Sequence, residues 1–315
     1  MRAEKETDYV LAIDAGGTKT IGMLKRISTQ EIWYHRTDGA SLSHDINISS
    51  GRIDKLAKNL LQQAACDAKN SLIICGVAGG ANLQNRDILL SVLKKTFANI
   101  KIYNDGKTSL YGVGKGEPII VLAVGTGSIA MRLDEHNREA IFGGWGFIAG
   151  DLGSGAYMGK QLVSNALVQY DKRQLKCDIL IDETIALLKT GVESNQTTLS
   201  TKETEQQIIA NWIKSATSTE YAALAPIIFK YAEQSEFAKN IITEAALWIE
   251  DLAKTAGLGT EEHGDIPVAM IGGLAQVIKP YLSQDLLKAL VQPKGSSLDG
   301  ALYLGERYLQ KNTVI

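Results

Sequence analysis

Three segments of this sequence place glycines beside side chains that can bind a ligand: two suit phosphate groups, and the third suits a ligand with hydroxyl groups. The first, "DAGGTKT" at residues 14–20, interrupts an apolar stretch. Its glycines let backbone N–H groups approach an anion, and Thr18, Lys19 and Thr20 add hydroxyl and ammonium donors. Asp14 could hold water bound to Mg²⁺. The segment predicts a phosphate-binding loop for a nucleotide, and the alternative is a plain glycine hairpin with Asp14 as a turn former.

The second segment repeats this pattern. Gly125-Thr126-Gly127-Ser128 interrupts the apolar stretch 117–133 as the first loop interrupts residues 9–26. A single loop of this kind is a weak signal, because such turns are common. Two of them, each between strands, predict a pair of loops around one polyphosphate. The recurrence also reads as a weak internal repeat that opens a second domain.

Asp105 ends the stretch "IKIYND". Open α/β sheets place reactive groups at such strand ends, and a kinase acting on a hydroxyl needs a carboxylate to accept its proton. The alternative is that Asp105 caps the following helix. The adjoining Gly106-Lys107-Thr108 is no P-loop, because position 101 is lysine where that motif needs glycine.

The third segment, "FGGWGFIAGDLGSGAYMGK" at residues 142–160, is the most specific in the chain. Its glycines allow the main chain to approach a ligand, Trp145 can cover the apolar face of a sugar, and Asp151 can accept hydroxyl hydrogen bonds. A helix starting near Ser154 adds a positive N-terminus. The alternative is a flexible loop with one core tryptophan.

Residues 272–276 follow the apolar stretch "VAMI" and begin with two glycines, which would let the main chain lie against an adenosine. The alternative is that these residues form only a tight turn.

Strands and helices alternate around these segments, which argues for an α/β fold. We expect a hairpin over residues 9–26, a polar loop over 37–51, and predominantly helical chain from Gly155 to Ala256. Further strands are predicted at 31–36, 71–82, 99–105 and 266–275, and further helices at 52–69, 86–97 and 297–310. We interpret Gly79-Gly80 as a domain-crossing turn rather than a ligand site.

The composition is that of an ordinary globular protein of 315 residues, with 45% hydrophobic and 22% charged residues. A net charge of −2 gives no electrostatic argument for nucleic acid or an anionic membrane. No apolar run approaches the length of a spanning helix, and the N-terminus lacks the apolar core of a signal peptide. Three distant cysteines, Cys66, Cys75 and Cys177, form neither a disulfide framework nor a metal motif. We expect a cytoplasmic protein.

Taken in order, these segments resemble the sugar kinase/actin/Hsp70 ATPase superfamily. More narrowly they resemble the BadF/BadG/BcrA/BcrD-type family, which includes N-acetylglucosamine kinases and glucosamine kinases. "IDAGGTKT" and "VGTGS" resemble its two phosphate motifs, "MIGGLA" its adenosine motif and "GVAGG" its connecting segment. "NDG" stands where the family has its catalytic aspartate, and "GGWGFIAGDLGSGAYMG" is similar to its "GGWG…GDEGSA" signature.

The resemblance implies a two-domain ribonuclease H-like (actin-like ATPase) fold, with mixed sheets flanked by helices and both ligands in the interdomain cleft. The small domain would comprise residues 1–117 and 297–315, and the larger one residues 118–296. Asp105 would be the catalytic base, and Asp14 would lie near the metal. The implied ATP contacts are Gly16, Gly17, Thr18, Lys19, Thr126, Gly127, Ala222, Gly272, Gly273, Leu274 and Gln276. The implied sugar contacts are Ser43, His44, Asp105, Gly144, Trp145, Gly146 and Asp151.

The resulting hypothesis is an ATP- and Mg²⁺-dependent kinase that phosphorylates the 6-hydroxyl of an amino sugar, with N-acetylglucosamine as first choice. Two departures bear on the sugar. Animal-type N-acetylglucosamine kinases carry an asparagine before the histidine where this chain has Ser43, and position 152 is leucine where the signature has an acidic residue or glutamine. The resemblance also implies a homodimer.

Three alternatives stay open. A glucosamine kinase would need a carboxylate beside C2, for which Glu31, Asp38 and Asp45 are candidates. An ATP-driven activator of radical dehydratases would need cysteines for an iron–sulfur cluster. A kinase-fold transcriptional regulator would need an added DNA-binding domain, for which we see no room before the first phosphate strand.

Overall fold

The computed structural model describes residues 7–43, 45–172, 178–190 and 204–313. The chain divides into two compact units. The first unit comprises Met1–Ile119, Leu133–Arg138 and Gln292–Ile315, and the second comprises Ile120–Arg132 and Glu139–Val291. The functional domains predicted from the sequence, with borders at 117 and 297, stay a prediction.

The elements alternate as the sequence indicates. The first unit contains β1 (Tyr9–Ala15), β2 (Lys19–Arg26), β3 (Ile32–Asp38), α1 (Ile46–Gln63), β4 (Ser71–Val77), α2 (Leu83–Leu93), β5 (Asn99–Asn104) and α3 (Asp105–Gly114). Next come β6 (Ile119–Val124), β7 (Ser128–Leu133), β8 (Glu139–Gly143), α4 (Gly155–Asp171), α5 (Ile179–Thr190), α6 (Glu205–Ser215), α7 (Ser218–Ala222), α8 (Ala225–Lys230) and α9 (Glu236–Thr255). The chain ends with β9 (Val268–Ile271), α10 (Ala275–Ile278), α11 (Gln284–Ala289) and α12 (Ser297–Thr313).

The first unit is built on a five-stranded mixed sheet with strand order β3-β2-β1-β4-β5. β1 pairs antiparallel with β2 and parallel with β4, and β5 continues the parallel part. Successive side chains of β1 point to opposite faces. Leu11 and Ile13 join a core with α1 and α2, and Val10 and Ala12 join a core with α12. Coverage of both faces explains why β1 is apolar from Val10 to Ile13.

The second unit is built on a four-stranded sheet with order β8-β7-β6-β9, in which β6 and β9 are parallel. Helices α4 to α9 supply most of its buried core. In the longest of them, α9, the buried side chains recur at helical spacing, as in Ile242, Ala245, Ala246 and Ile249. Two mixed sheets flanked by helices confirm the predicted α/β class.

Local details differ from the sequence predictions. α1 begins at Ile46, inside the predicted polar loop, because the Asp45 carboxylate caps it by accepting from the N–H groups of Asn47 and Ile48. The same helix ends six residues before its predicted end at 69, since Ala65 has a left-handed φ of 47°. The short strand β8 was not predicted. Within the described residues, no helix has both the length and the apolar character needed to cross a bilayer.

Candidate active site

The first glycine loop is the turn between β1 and β2. The Gly16 N–H donates to the Lys19 carbonyl (3.0 Å), and Gly17, Thr18 and Lys19 are exposed. Thr20 is fully buried, and its hydroxyl has no hydrogen-bond partner within the described part of the chain. Thr18 and Lys19 are therefore the side chains that a phosphate can reach, in keeping with an open anion-binding turn.

Residues 39 and 40 of a neighbouring loop contact this turn through their main chain. The Ala40 N–H donates to the Gly16 carbonyl (3.0 Å). A Cβ at position 39 would lie 2.0 Å from the Gly17 carbonyl oxygen, so only glycine allows this approach. Gly39 thus fixes the first loop through main-chain contact, a role that its sequence neighbourhood did not reveal.

Asp105 is the first residue of α3, directly after β5. The helix is capped by Asn104, whose side chain accepts from the Lys107 N–H (2.7 Å), so the interpretation of Asp105 as the N-cap is wrong. The Asp105 carboxylate is exposed and accepts from the adjacent Gly106 N–H (3.1 Å). It is therefore accessible to a substrate hydroxyl.

Asp14 is the penultimate residue of β1 in the same unit, and its carboxylate interacts with that of Asp105. Burial raises the pKa of Asp14, the negative charge of Asp105 raises it further, and a hydrogen bond from Ser297 and the charge of Lys19 oppose that rise. The Ser297 hydroxyl also lies 2.8 Å from that of Thr108 on α3. Ser297 was not predicted as a site residue, since it joins this group from a position far along the chain.

The carboxylate oxygens at Asp14 suit a magnesium ion that nucleotide phosphates would also coordinate. Two carboxylates that repel each other, as Asp14 and Asp105 do, are relieved by a nearby cation. Among the described residues no group of three or more acidic, histidine or cysteine side chains forms a metal cage. Mg²⁺ commonly binds through one or two carboxylates, water and substrate phosphates rather than through an all-protein cage.

The predicted sugar loop packs beside the Gly79 turn. The Leu42 N–H donates to the Ala78 carbonyl (2.8 Å), and a Cβ at Gly79 would lie 2.5 Å from the Ser43 hydroxyl oxygen. Gly79 has a φ of 80°, which favours glycine. Ser43 is exposed, whereas His44 lies outside the described residues. The Gly79 turn therefore positions Ser43, a role that the sequence analysis did not assign to it.

In the second unit, the loop between β6 and β7 adjoins the start of α4. The Gly155 N–H donates to the Gly125 carbonyl (2.8 Å), and the Ala156 N–H donates to the Thr126 carbonyl (3.1 Å). Ser154 caps α4 by accepting from the Tyr157 N–H. The Thr126 side chain is exposed. The second predicted phosphate loop is thus held at a helix N-terminus, and the Thr126 side chain on it is exposed.

The segment between β8 and α4 presents one aromatic ring. Gly144 and Gly146 have φ angles of 70° and 86°, conformations that favour glycine. Between them Trp145 is 84% exposed, so it is not a core tryptophan. It borders a groove of about 170 Å³, which is also lined by Trp248, Asp251, Leu252 and Thr255 of α9. An exposed ring beside a small groove suits the apolar face of a sugar.

Asp151 stands between these two loops of the second unit. Its backbone is in the left-handed region, with a φ of 54°. Burial raises the pKa of the carboxyl, while hydrogen bonds from the backbone N–H groups of Ser128 and Gly146 oppose that rise. Asp151, a predicted sugar-binding residue, therefore lies against the second phosphate loop at Gly127 and lines the groove beside Trp145.

The predicted nucleoside segment follows β9 and touches the end of β6. The Leu274 N–H donates to the Val124 carbonyl (3.1 Å), and a Cβ at Gly272 would lie 2.3 Å from the same oxygen. Gly272, Gly273 and Gln276 are exposed, but the Leu274 side chain is buried in the core. Ala222, at the end of α7, packs near Gly155. The structure thus brings the nucleoside and second phosphate segments together.

Several known proteins are similar to this chain. An N-acetylmuramic acid/N-acetylglucosamine kinase of Clostridium acetobutylicum is 30% identical over 253 residues, which cover 76% of each chain. A glucosamine kinase of Vibrio cholerae is 21% identical over 301 residues, or 94% of this chain and 95% of the other. The solved structure of a proposed N-acetylglucosamine kinase from Chromobacterium violaceum superposes with a TM-score of 0.76 at 26% identity, covering 94% of this chain and 98% of that one.

These likenesses confirm the predicted two-sheet, actin-like ATPase fold. The sequence model of one family matches residues 11–302, which is nearly the whole chain. The resemblance inferred from the glycine loops and the tryptophan segment is therefore confirmed. The chain belongs to the BadF/BadG/BcrA/BcrD ATPase family.

Proposed function

We propose that this protein is an ATP- and Mg²⁺-dependent kinase that phosphorylates the 6-hydroxyl of an amino sugar. One observation carries the proposal: Asp105 is an exposed carboxylate at the end of β5 that neither caps its helix nor forms an ion pair within the described residues. Its unit also contains the first glycine loop. A free carboxylate and a phosphate loop are the two components that phosphoryl transfer to an alcohol requires.

The proposed chemistry assigns one task to each group. Asp105 accepts the hydroxyl proton as the phosphoryl group arrives in line. Thr18 and Lys19 of the first loop and Thr126 of the second hold phosphate oxygens by hydrogen bonds and charge. When bound, Mg²⁺ neutralises charge on the phosphates, and Asp14 would hold it through water. The segment at residues 272–276, in which Gly272, Gly273 and Gln276 are exposed, would receive the nucleoside.

N-acetylglucosamine is the preferred substrate. The exposed Trp145 ring offers an apolar surface to a sugar face, and the names of the Clostridium and Chromobacterium relatives both include this sugar. N-acetylmuramic acid, also in the name of the Clostridium protein, belongs in the same test.

Glucosamine is the second candidate, because Asp251 supplies a carboxylate on the groove beside Trp145. The three carboxylates considered from the sequence are engaged elsewhere: Glu31 with Thr29, Asp38 close to Arg52, and Asp45 at the cap of α1. A kinase of the Vibrio relative's type would place the sugar ammonium near Asp251.

An activator of radical dehydratases finds less support. Cys75 is fully buried in β4, and burial raises the pKa of its thiol to about 12. A thiol held protonated in an apolar strand is a poor ligand for an iron–sulfur cluster. Cys66, half-buried, has its pKa raised to about 11, again chiefly by burial.

The deciding experiment measures ADP release with ATP and Mg²⁺ against N-acetylglucosamine, glucosamine, N-acetylmuramic acid, N-acetylmannosamine, glucose and no sugar. We expect turnover that depends on one amino sugar. ADP release without sugar dependence, or none at all, would contradict the proposal. Sedimentation of the same sample tests the homodimer that the family resemblance implies, and fractionation of the source cells tests the cytoplasmic location.

A further inference from the structure

We propose that Asp151 is a positioning residue that couples the second phosphate loop to the tryptophan segment, so that it supports nucleotide binding as well as sugar binding. The inference rests on the proposed function and deepens it. The resemblance implies only that Asp151 contacts the sugar. The contacts of its carboxylate lie on both sides and include the phosphate loop.

The first contact is with the phosphate loop. The Ser128 N–H, directly after Thr126 and Gly127, opposes the rise that burial causes in the pKa of the Asp151 carboxyl. A Cβ at Gly127 would lie 2.7 Å from one carboxylate oxygen and 3.1 Å from the carboxyl carbon. The absence of a side chain at Gly127 therefore admits the carboxylate against the loop, a second reason for glycine at this position besides phosphate access.

The second contact is with the tryptophan segment. Asp151 lines the same groove as Trp145 and Gly150, and the Gly146 N–H also opposes the rise in the pKa of its carboxyl. The Gly150 N–H donates to the Gly146 carbonyl (2.7 Å), which closes the turn on which Trp145 is exposed. A carboxylate can accept about four hydrogen bonds, so two interactions with backbone N–H groups leave acceptor capacity for a sugar hydroxyl.

The backbone around Asp151 supports the same reading. Its left-handed φ of 54° is unusual for a residue other than glycine, and aspartate tolerates it better than most. The next residues return to the phosphate loop, because the Ser128 hydroxyl donates to the Leu152 carbonyl (2.7 Å). The Ser154 N–H in turn donates to the Asp151 carbonyl (3.1 Å). Displacement of Asp151 would thus disturb both loops together.

The experiment compares two variants with different backbone demands. Asp151→Asn keeps the shape and the tolerance for a left-handed φ, but replaces one acceptor oxygen by an NH₂ group that faces a backbone donor. Asp151→Gly keeps the backbone conformation and removes the side chain. Asp171→Asn, an exposed aspartate at the end of α4, controls for the loss of one negative charge in the same unit.

The primary readout is the affinity for ATP without sugar, measured by calorimetry, which does not require catalysis. We expect it to fall by about tenfold in both Asp151 variants, as when a charged acceptor is removed from buried donors. Asp171→Asn should bind as the wild type. An unchanged ATP affinity, with only the KM for the sugar raised, would make Asp151 a sugar ligand alone and overturn the proposal.

Amide hydrogen exchange of the unliganded protein gives a second, ligand-free readout. In Asp151→Asn, we expect faster exchange in peptides covering residues 125–129 and 143–148, and unchanged exchange in the strands of the first unit. Faster exchange in one segment only would contradict the coupling, and general acceleration would indicate unfolding and assign the ATP loss to that cause. Because neither readout needs a sugar, failure of the kinase proposal would leave this test intact.

Discussion

The two predicted phosphate loops have similar sequences but are held in place differently. Within the described residues, the first loop is fixed by main-chain contact, from Ala40 to Gly16 and from Gly39 to Gly17. The second is fixed by the start of α4 and by the carboxylate of Asp151. A glycine–hydroxyl turn can thus be positioned by neutral backbone or by one ionisable side chain. A side chain added at Gly39 should therefore disturb the first loop, whereas removal of the Asp151 charge should disturb the second.

The largest effect is expected away from both loops, at the proposed base. Asp105→Asn should lower kcat by about 10²–10⁴-fold, because general-base catalysis is lost. ATP affinity should change little, since within the described residues the Asp105 carboxylate accepts a hydrogen bond from its own neighbour Gly106. Steady-state kinetics on the accepted sugar measure this. Asp87→Asn, an exposed site on α2, is the matched control, and equal activity of the two variants would remove Asp105 from the mechanism.

The first loop should be displaced when a side chain is added at Gly39, which packs against it. Gly39→Ala places a Cβ 2.0 Å from the Gly17 carbonyl oxygen, so the loop or residue 39 must shift. We expect a higher KM for ATP and a loss of stability of about 1–3 kcal/mol. Gly51→Ala, with open space around its Cβ inside α1, should instead stabilise by about 0.5–1 kcal/mol. Denaturant titration separates the two, and a neutral Gly39→Ala would show that the main-chain contact is dispensable.

A side chain added at Gly127 should weaken ATP binding by the second loop only when the Asp151 side chain is present. Gly127→Ala drives a methyl group toward the Asp151 carboxylate, so we expect ATP affinity to fall several-fold, by roughly 1 kcal/mol. In the Asp151→Gly background the same substitution should cost much less, because the clashing group is gone. Calorimetry on the four proteins gives the coupling energy. Strict additivity would mean that Gly127 serves the phosphate alone.

The smallest effect concerns Asp14 in the protein without ligands. Its folded pKa is raised, so the folded state binds the proton more tightly than the unfolded chain. Ionised Asp14 therefore lowers stability at neutral pH, and this loss disappears as pH falls through the folded pKa. Asp14→Asn should raise the melting midpoint at pH 7 by on the order of 1 °C, with no difference below about pH 4. A lower midpoint at pH 7 would contradict the proposed charge repulsion.

Local chemistry allowed much of this to be predicted. The glycine turns interrupting apolar stretches indicated both loops, and the position of Asp105 directly after a strand, from which we predicted it as the base, is confirmed. The start of α1 was missed because Asp45 caps a helix within a stretch rich in serine and polar residues. Ser297 and Gly39 were missed because their roles arise from contacts between distant segments. Nothing near either residue in the sequence specifies those contacts.

The sequence predicted the residue type at Asp151 but not its contacts. The glycine-rich run indicated an acceptor for hydroxyl groups, which is a property of the residue type. Its contacts with Gly127 and with the groove beside Trp145 depend on the path of two loops and on a left-handed backbone angle. Such a double contact cannot be derived from spacing along the chain, and it gives the residue a second role.

The central claim is phosphoryl transfer to a sugar by Asp105, and the product tests it most directly. Wild type and Asp105→Asn are incubated with ATP, Mg²⁺ and the accepted amino sugar, and the mixtures are analysed by phosphorus NMR. We predict a sugar 6-phosphate formed in step with ADP by the wild type, and strongly reduced in the variant. ADP with inorganic phosphate and no sugar phosphate, or equal product from both proteins, would contradict the account.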